Sequence, residues 1–254
     1  MEKKRRMPVV FIMTAFVIVL SAFAVVKYRE YQNQLHMEEV QEMAYLLSGV
    51  QVELPKKEEV VIPIDFGEIR KENPDIVAWV CVPGTTVDYP ILQSAPDMEE
   101  DYYLEHNLDG SPGYPGCIYI QKMNQADFCD AVTVVYGHNM KNGTMFAGLH
   151  QFEDRTFFDE NDTFEIYTPT SVLSYQVIAS VNYDNRLIPV FYHFFQTTSD
   201  VADFLDDLYA YGEGEKNHFA EAVKPDAMDR YVILSTCSEH SKNRWLVVGK
   251  QKQE

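Results

Sequence analysis

At 254 residues the chain has room for one sizeable domain with appendages, and a hydrophobic content of 46% is ordinary for a globular fold. The formal charge is −18, and because the first 27 residues contribute four net positive charges, the remainder carries −22. A surface that negative repels a phosphate backbone and argues against nucleic-acid binding.

The N-terminal end reads as an export signal. Met7 to Val26 carries no charge and is long enough to cross a bilayer core, and Lys3-Lys-Arg-Arg6 before it keeps that end in the cytoplasm by the positive-inside rule. A cleaved signal peptide is the competing reading, since Ala22-Phe-Ala24 offers an A-x-A-like site, but such signals have a shorter apolar core. Residues 1–27 are therefore expected to be a basic tip and transmembrane anchor in the cell membrane, with the rest of the chain outside. Residues 28–61 follow as stalk and linker: Leu35, Val40, Met43, Ala44 and Leu47 recur at near-helical spacing, and Leu54-Pro-Lys-Lys-Glu-Glu59 breaks the pattern. The folded domain is expected over 62–254.

Asp65 and Glu68 have the spacing of a capping box, and Asn73-Pro74 ends the short helix it would start. After Pro74 the texture changes to strands. Ile76 to Val82 stops at Pro83-Gly84, and Val87 to Leu92 reads as an edge or bulged strand because Pro90 cannot donate to a ladder. Further strands are expected at 117–121, 131–136, 163–168, 172–181, 230–236 and 245–249. Eight short strands with so few helices point to a mainly β fold, a closed or nearly closed barrel.

Two helices are expected among these strands. One runs from Thr144, as its cap, to His150. The other runs from about Asp200 to Tyr211, where Val201, Phe204, Leu205, Leu208 and Tyr209 form an apolar stripe, with Ser199 or Asp200 as N-cap and Gly212 beyond its end. That stripe needs a sheet face to cover.

Two stretches carry chemistry. In Tyr231-Val-Ile-Leu-Ser-Thr-Cys237 a β-branched run drives into a cysteine, and after a short polar loop the next strand opens on Arg244. A thiol and a guanidinium can then face one pocket, although a free cysteine can equally be a small buried hydrophobe. In Val132-Thr-Val-Val-Tyr-Gly-His138 a second run presents a histidine in a Gly- and Asn-rich loop, a setting as open to a structural histidine as to a catalytic one. His36, His106, His150, His193 and His218 have weaker settings, and His240 is close to Cys237 but on a loop. The four cysteines (81, 117, 129 and 237) show no spacing of a disulfide framework, and neither C-x-x-C nor H-E-x-x-H occurs, so no metal site is expected.

Taken together, these residues resemble the sortases, membrane-anchored cysteine transpeptidases of Gram-positive bacteria, and class B best. The family's T-L-x-T-C signature stands here as Ile233-Leu-Ser-Thr-Cys237, with isoleucine in place of the first threonine. Its histidine segment stands as Tyr136-Gly-His-Asn-Met140 followed by Lys141-Asn-Gly-Thr-Met-Phe146. Trp79-Val-Cys-Val-Pro-Gly84, Val87-Asp-Tyr-Pro-Ile91 and the helix near 200–211 also match, so the resemblance covers about residues 65–250. It implies an eight-stranded sortase-type β-barrel with a few peripheral helices. Cys237 would be the nucleophile, His138 its acid/base partner and Arg244 the charge stabiliser, with Ser235 and Thr236 shaping the substrate groove. It implies no cofactor. The implied substrate is a C-terminal sorting signal related to N-P-x-T-x on a secreted protein, and the implied acceptor is an amine of a peptidoglycan peptide or a pilin lysine. A non-enzymatic extracytoplasmic binding or scaffold domain on the same barrel and a plain cysteine protease are the alternatives.

Overall fold

A computed structural model describes residues 62–238 and 243–252, together with Ala24, Val25 and Tyr28. The chain divides into two units, Met1–Glu59 and Val60–Glu254, and only the second is described in any length. The expected anchor and stalk therefore lie outside the described residues, apart from those three. Among the described residues no helix is long and apolar enough to cross a membrane.

In the second unit, α1 (Phe66–Glu72) starts where Asp65 accepts a hydrogen bond from the Glu68 N–H, and it ends at Asn73. Glu68 does not complete a capping box, because its carboxylate pairs with Lys71. The strands follow as β1 (Ile76–Cys81), β2 (Asp88–Gln93), β3 (Ile118–Ile120), β4 (Val132–Tyr136), β5 (Thr163–Tyr167), β6 (Val172–Asp184), β7 (His218–Phe219), β8 (Tyr231–Cys237) and β9 (Asn243–Gln251). Eight of them pair in the order β5-β1-β2-β3-β4-β8-β9-β6, and β6 pairs back to β5, so the barrel closes. The two-residue β7 is an addition on β6. Among the described residues, closure leaves no long unpaired edge to recruit another strand.

Pro90 is accommodated differently from expectation. β2 is not an edge strand but lies between β1 and β3. Its ladder with β3 begins only at Ile91, one residue past the proline, and the irregularity falls on β1 between Ile76 and Ala78.

Alternation along the strands separates two cores. Val232 and Leu234 of β8, Val135 of β4 and Trp245 and Val247 of β9 point into the barrel. Tyr231 and Ile233, Val132 and Val134, and Leu246 and Val248 point outward, where Val201, Phe204, Leu205 and Leu208 of α4 (Thr198–Ala210) cover them. Each such side chain, once fully buried, contributes about 1.5–3 kcal/mol, which is why this helix bears an apolar stripe. Its cap lies earlier than expected. Thr197 is the N-cap, and Asp200 serves as the third helical residue, its side chain returning to the Thr197 N–H in a full capping box.

The segment expected as a helix capped by Thr144 is a 3₁₀ turn, Phe146–Glu153. The Thr144 hydroxyl bonds Asn142 instead, and Met145 sits at φ +58°, which blocks an earlier helical start. Two short helices, α2 (Arg155–Glu160) and α3 (Ile188–Phe191), were not signalled by any apolar period.

Candidate active site

Three adjacent strands, β4, β8 and β9, end at one rim of the barrel. β4 and β8 run parallel with Tyr136 opposite Ser235, and the ladder continues through Gly137, whose N–H donates to Ser235 O at 3.1 Å. The last pair of this ladder, Tyr136 and Ser235, stands two residues before His138 and two before Cys237. β8 and β9 run antiparallel with Cys237 directly opposite Arg244. Because side chains alternate, Cys237 and Arg244 both belong to the outward-facing set, and His138 follows two residues after the end of β4. Strand ends about a hundred positions apart in the chain are thus brought side by side by the parallel pairing.

Glycine is required at 137. A Cβ there would lie 2.4 Å from Ile118 Cδ1 and 2.8 Å from the Phe146 ring, so the strand end carrying His138 could not sit this close to the core with a side chain.

The Arg244 guanidinium donates from Nη1 to Cys237 Sγ at 3.2 Å. Both side chains are partly exposed. A planar donor beside the sulfur suits a thiolate, and equally the oxyanion that forms next to it after attack on a carbonyl. His138 is held from the other side. Its Nε2 donates to Leu104 O at 2.8 Å, its own carbonyl accepts from Phe146 N–H at 2.9 Å, and the exposed Tyr114 ring lies 4.9 Å from its own. With Nε2 committed to a carbonyl, Nδ1 is the nitrogen whose proton can come and go. The ring bonds the Leu104 carbonyl and not the thiol.

Ser235 and Thr236 are buried, at 2% and 0% exposure. Thr236 faces the barrel interior, and its hydroxyl donates to Gly137 O at 2.8 Å. It ties the ends of β4 and β8 together under the site. His240 lies outside the described residues, as does the rest of the 239–242 loop.

Two further side chains that the sequence does not single out as site residues reach the rim. Asn139 Nδ2 donates to Cys237 O at 3.1 Å, and His150 Nε2 lies 3.1 Å from the same oxygen. His150 Nδ1 is 2.6 Å from Glu153 Oε1, and Glu153 Oε2 is 2.6 Å from Lys216 Nζ. In the sequence His150 stood only near an expected helix end, and nothing in its spacing to Cys237 signals contact across the barrel mouth. All four cysteines are free thiols. Among the described residues no group of three or more His, Cys, Asp or Glu side chains could hold a metal ion.

Comparison with known proteins agrees with this geometry. A family model described as "Sortase domain" matches residues 80–252. Sortase B of Listeria monocytogenes is 33% identical over 192 residues, 73% of this chain and 73% of the relative. Sortase B of Staphylococcus aureus is 26% identical across 98% of each chain. A solved Staphylococcus aureus sortase B–substrate complex superposes with a TM-score of 0.64 at 26% identity, covering 85% of this chain and 99% of that one. The family match spans well over half the chain and contains β4, β8 and β9, the strands that carry the rim; this protein belongs to the sortase family of cysteine transpeptidases, and within it to class B.

Proposed function

We propose that Cys237, His138 and Arg244 carry the transpeptidation, on C-terminal sorting signals of secreted proteins. The Cys237 sulfur attacks the scissile peptide carbonyl, and Arg244 donates to the sulfur before attack and to the oxyanion after it. His138 passes a proton from Nδ1 to the departing amine, whose release leaves the acyl group as a thioester on Cys237. An acceptor amine then attacks the thioester, gives its proton back to His138 and expels the thiolate, so that one amide bond is broken and one is made. The observation that carries this reading is the cross-strand pairing of Cys237 with Arg244, Nη1 to Sγ at 3.2 Å; the parallel β4–β8 ladder, paired as far as Tyr136 and Ser235, supports including His138, which follows two residues later.

In the same reading, Lys3 to Arg6 and the uncharged Met7–Val26 hold the chain in the cell membrane, with the barrel outside, within reach of secreted substrates. The donor peptide is a sorting signal related to N-P-x-T-x, and the acceptor is an amine of a peptidoglycan peptide or a pilin lysine. The test uses a fluorescent sorting peptide with and without a small primary amine. Wild type is expected to form the amide product only when amine is present, and Cys237→Ala and His138→Ala to form none. Product from Cys237→Ala would remove the nucleophile assignment. Equal cleavage with and without amine would make the protein a hydrolase.

A further inference from the structure

The main-chain carbonyl of Cys237 has an unusual set of partners. In a parallel ladder the donors of one strand repeat every two residues. Gly137 N–H serves Ser235 O, so the next donor in line for Cys237 O would be the Asn139 N–H. β4 has turned away by then, and Asn139 bridges to Met145 instead. The oxygen is met by two side chains, Asn139 Nδ2 and His150 Nε2, each at 3.1 Å and themselves 2.9 Å apart.

His150 is itself firmly oriented. Its ring stacks on the buried Trp245, with centroids 5.6 Å apart, and Glu153 holds Nδ1 at 2.6 Å; the His150 and Glu153 side chains are each 18% exposed. Partial burial opposes ionisation of Glu153. Hydrogen bonds from Lys216 and His150, together with their charges, outweigh it and bring its pKa below the ordinary carboxylate value. An ionised carboxylate at that distance requires the proton on Nδ1. Nε2 then has one role in each state of the ring. Neutral, it accepts from Asn139, which also donates to Cys237 O. Protonated, it donates to Cys237 O directly. Either way the proton pattern ends on the same oxygen.

We infer that His150, oriented by Glu153, is a positioning residue for Cys237: with Asn139 it fixes the cysteine's carbonyl at the end of β8 and thereby the direction in which Sγ leaves the rim. This rests on Cys237 being the nucleophile. Past Cys237 the next main-chain tie is Ser238 N–H to Asn243 O at 3.1 Å, so without the side-chain clamp the carbonyl of the reacting residue has no replacement donor from β4.

The test compares His150→Leu, which fills the space without polar atoms, with His150→Gln, whose amide reaches the Nε2 position. In His150→Leu, kcat is expected to fall by about 10–100-fold, the scale of a misplaced reacting group, with KM within about twofold. Alkylation of Cys237 by iodoacetamide should slow in parallel, and His150→Gln should recover most of both rates. Wild-type kcat in His150→Leu, a loss confined to KM, or a glutamine variant no better than the leucine one would each overturn the role. Should the leucine variant not fold, Glu153→Gln carries the same test, because the ring then stays in place without its orienting charge. A severalfold fall in kcat at unchanged KM is expected, and an unchanged kcat overturns the role. Cys237→Ala separates the two possible failures: an active alanine variant removes the nucleophile assignment, whereas an inactive one beside unaffected His150 variants removes only the positioning role.

Discussion

Three of the four thiols sit where a thiolate is disfavoured. Burial pushes Cys117 up to about 11, with the charge of Asp109 adding to it. Desolvation raises Cys81, helped by Asp88 and Glu165, and desolvation and a hydrogen bond to Asp127 raise Cys129. Cys237 instead has a guanidinium donor at 3.2 Å. At neutral pH one equivalent of iodoacetamide is therefore expected to label Cys237 first. Labelling of Cys117 should stay low until the pH approaches its raised value, where its thiolate fraction grows. Peptide mass mapping across a pH series reads this, and early labelling of Cys81 or Cys129 would contradict it. Arg244→Lys is expected to lower kcat by about 100–1000-fold, because an ammonium does not reproduce the planar donor and one lost oxyanion donor costs about 2.7–4 kcal/mol. Cys237 and Arg244 were legible in the sequence because each stands at the end of a β-branched run. His150 and Asn139 were not, since their link to Cys237 is made only when a turn folds across the barrel mouth.

Elements differ in how plainly the chain signals them. Most of the barrel strands stand out as short apolar or β-branched runs, and the covering helix as a 3.6-residue stripe; β6 runs on to Asp184, three residues past the expected strand. Local hydrogen bonds decided the places where expectation failed. Thr197 outcompetes Ser199 and Asp200 as cap of α4 because Asp200 reaches back to the Thr197 N–H at 2.7 Å. Thr197→Ala is expected to destabilise the protein by about 1 kcal/mol, read as a shift of the denaturation midpoint, while Ser199→Ala should leave it near wild type. At the 3₁₀ turn, the Glu153 link to His150 and Lys216 carries an acid-sensitive contribution. A carboxylate whose folded pKa is lowered stabilises fully above its unfolded value and loses that contribution as the pH falls through the folded one. Glu153→Gln should therefore melt below wild type at neutral pH and converge with it in acid, and a gap that persists in acid would contradict this assignment.

At the scale of the whole molecule, the barrel is what joins segments that are remote in sequence. β4 and β8 are neighbours in the sheet although β5, β6, β7 and α4 lie between them in the chain, so the loop after β4 and the end of β8 are joined by a parallel pairing that no local pattern encodes. The sequence showed both strand ends, and the family resemblance joined them; their register is visible only in the folded barrel. α4 covers the outer face of β4, β8 and β9, so the layer next to the rim is a packed apolar core. A rim built this way should hold an acyl group on one sulfur long enough for an amine to compete with water. Trapping that intermediate is the most direct test: a sorting peptide is incubated with the enzyme without amine, quenched in acid, digested and mapped by mass. The acyl group is expected on the peptide containing Cys237, labile to hydroxylamine and discharged as an amide when a primary amine is added before the quench. An adduct on Cys81, Cys117 or Cys129, or turnover with no acyl-enzyme at any time, would contradict it.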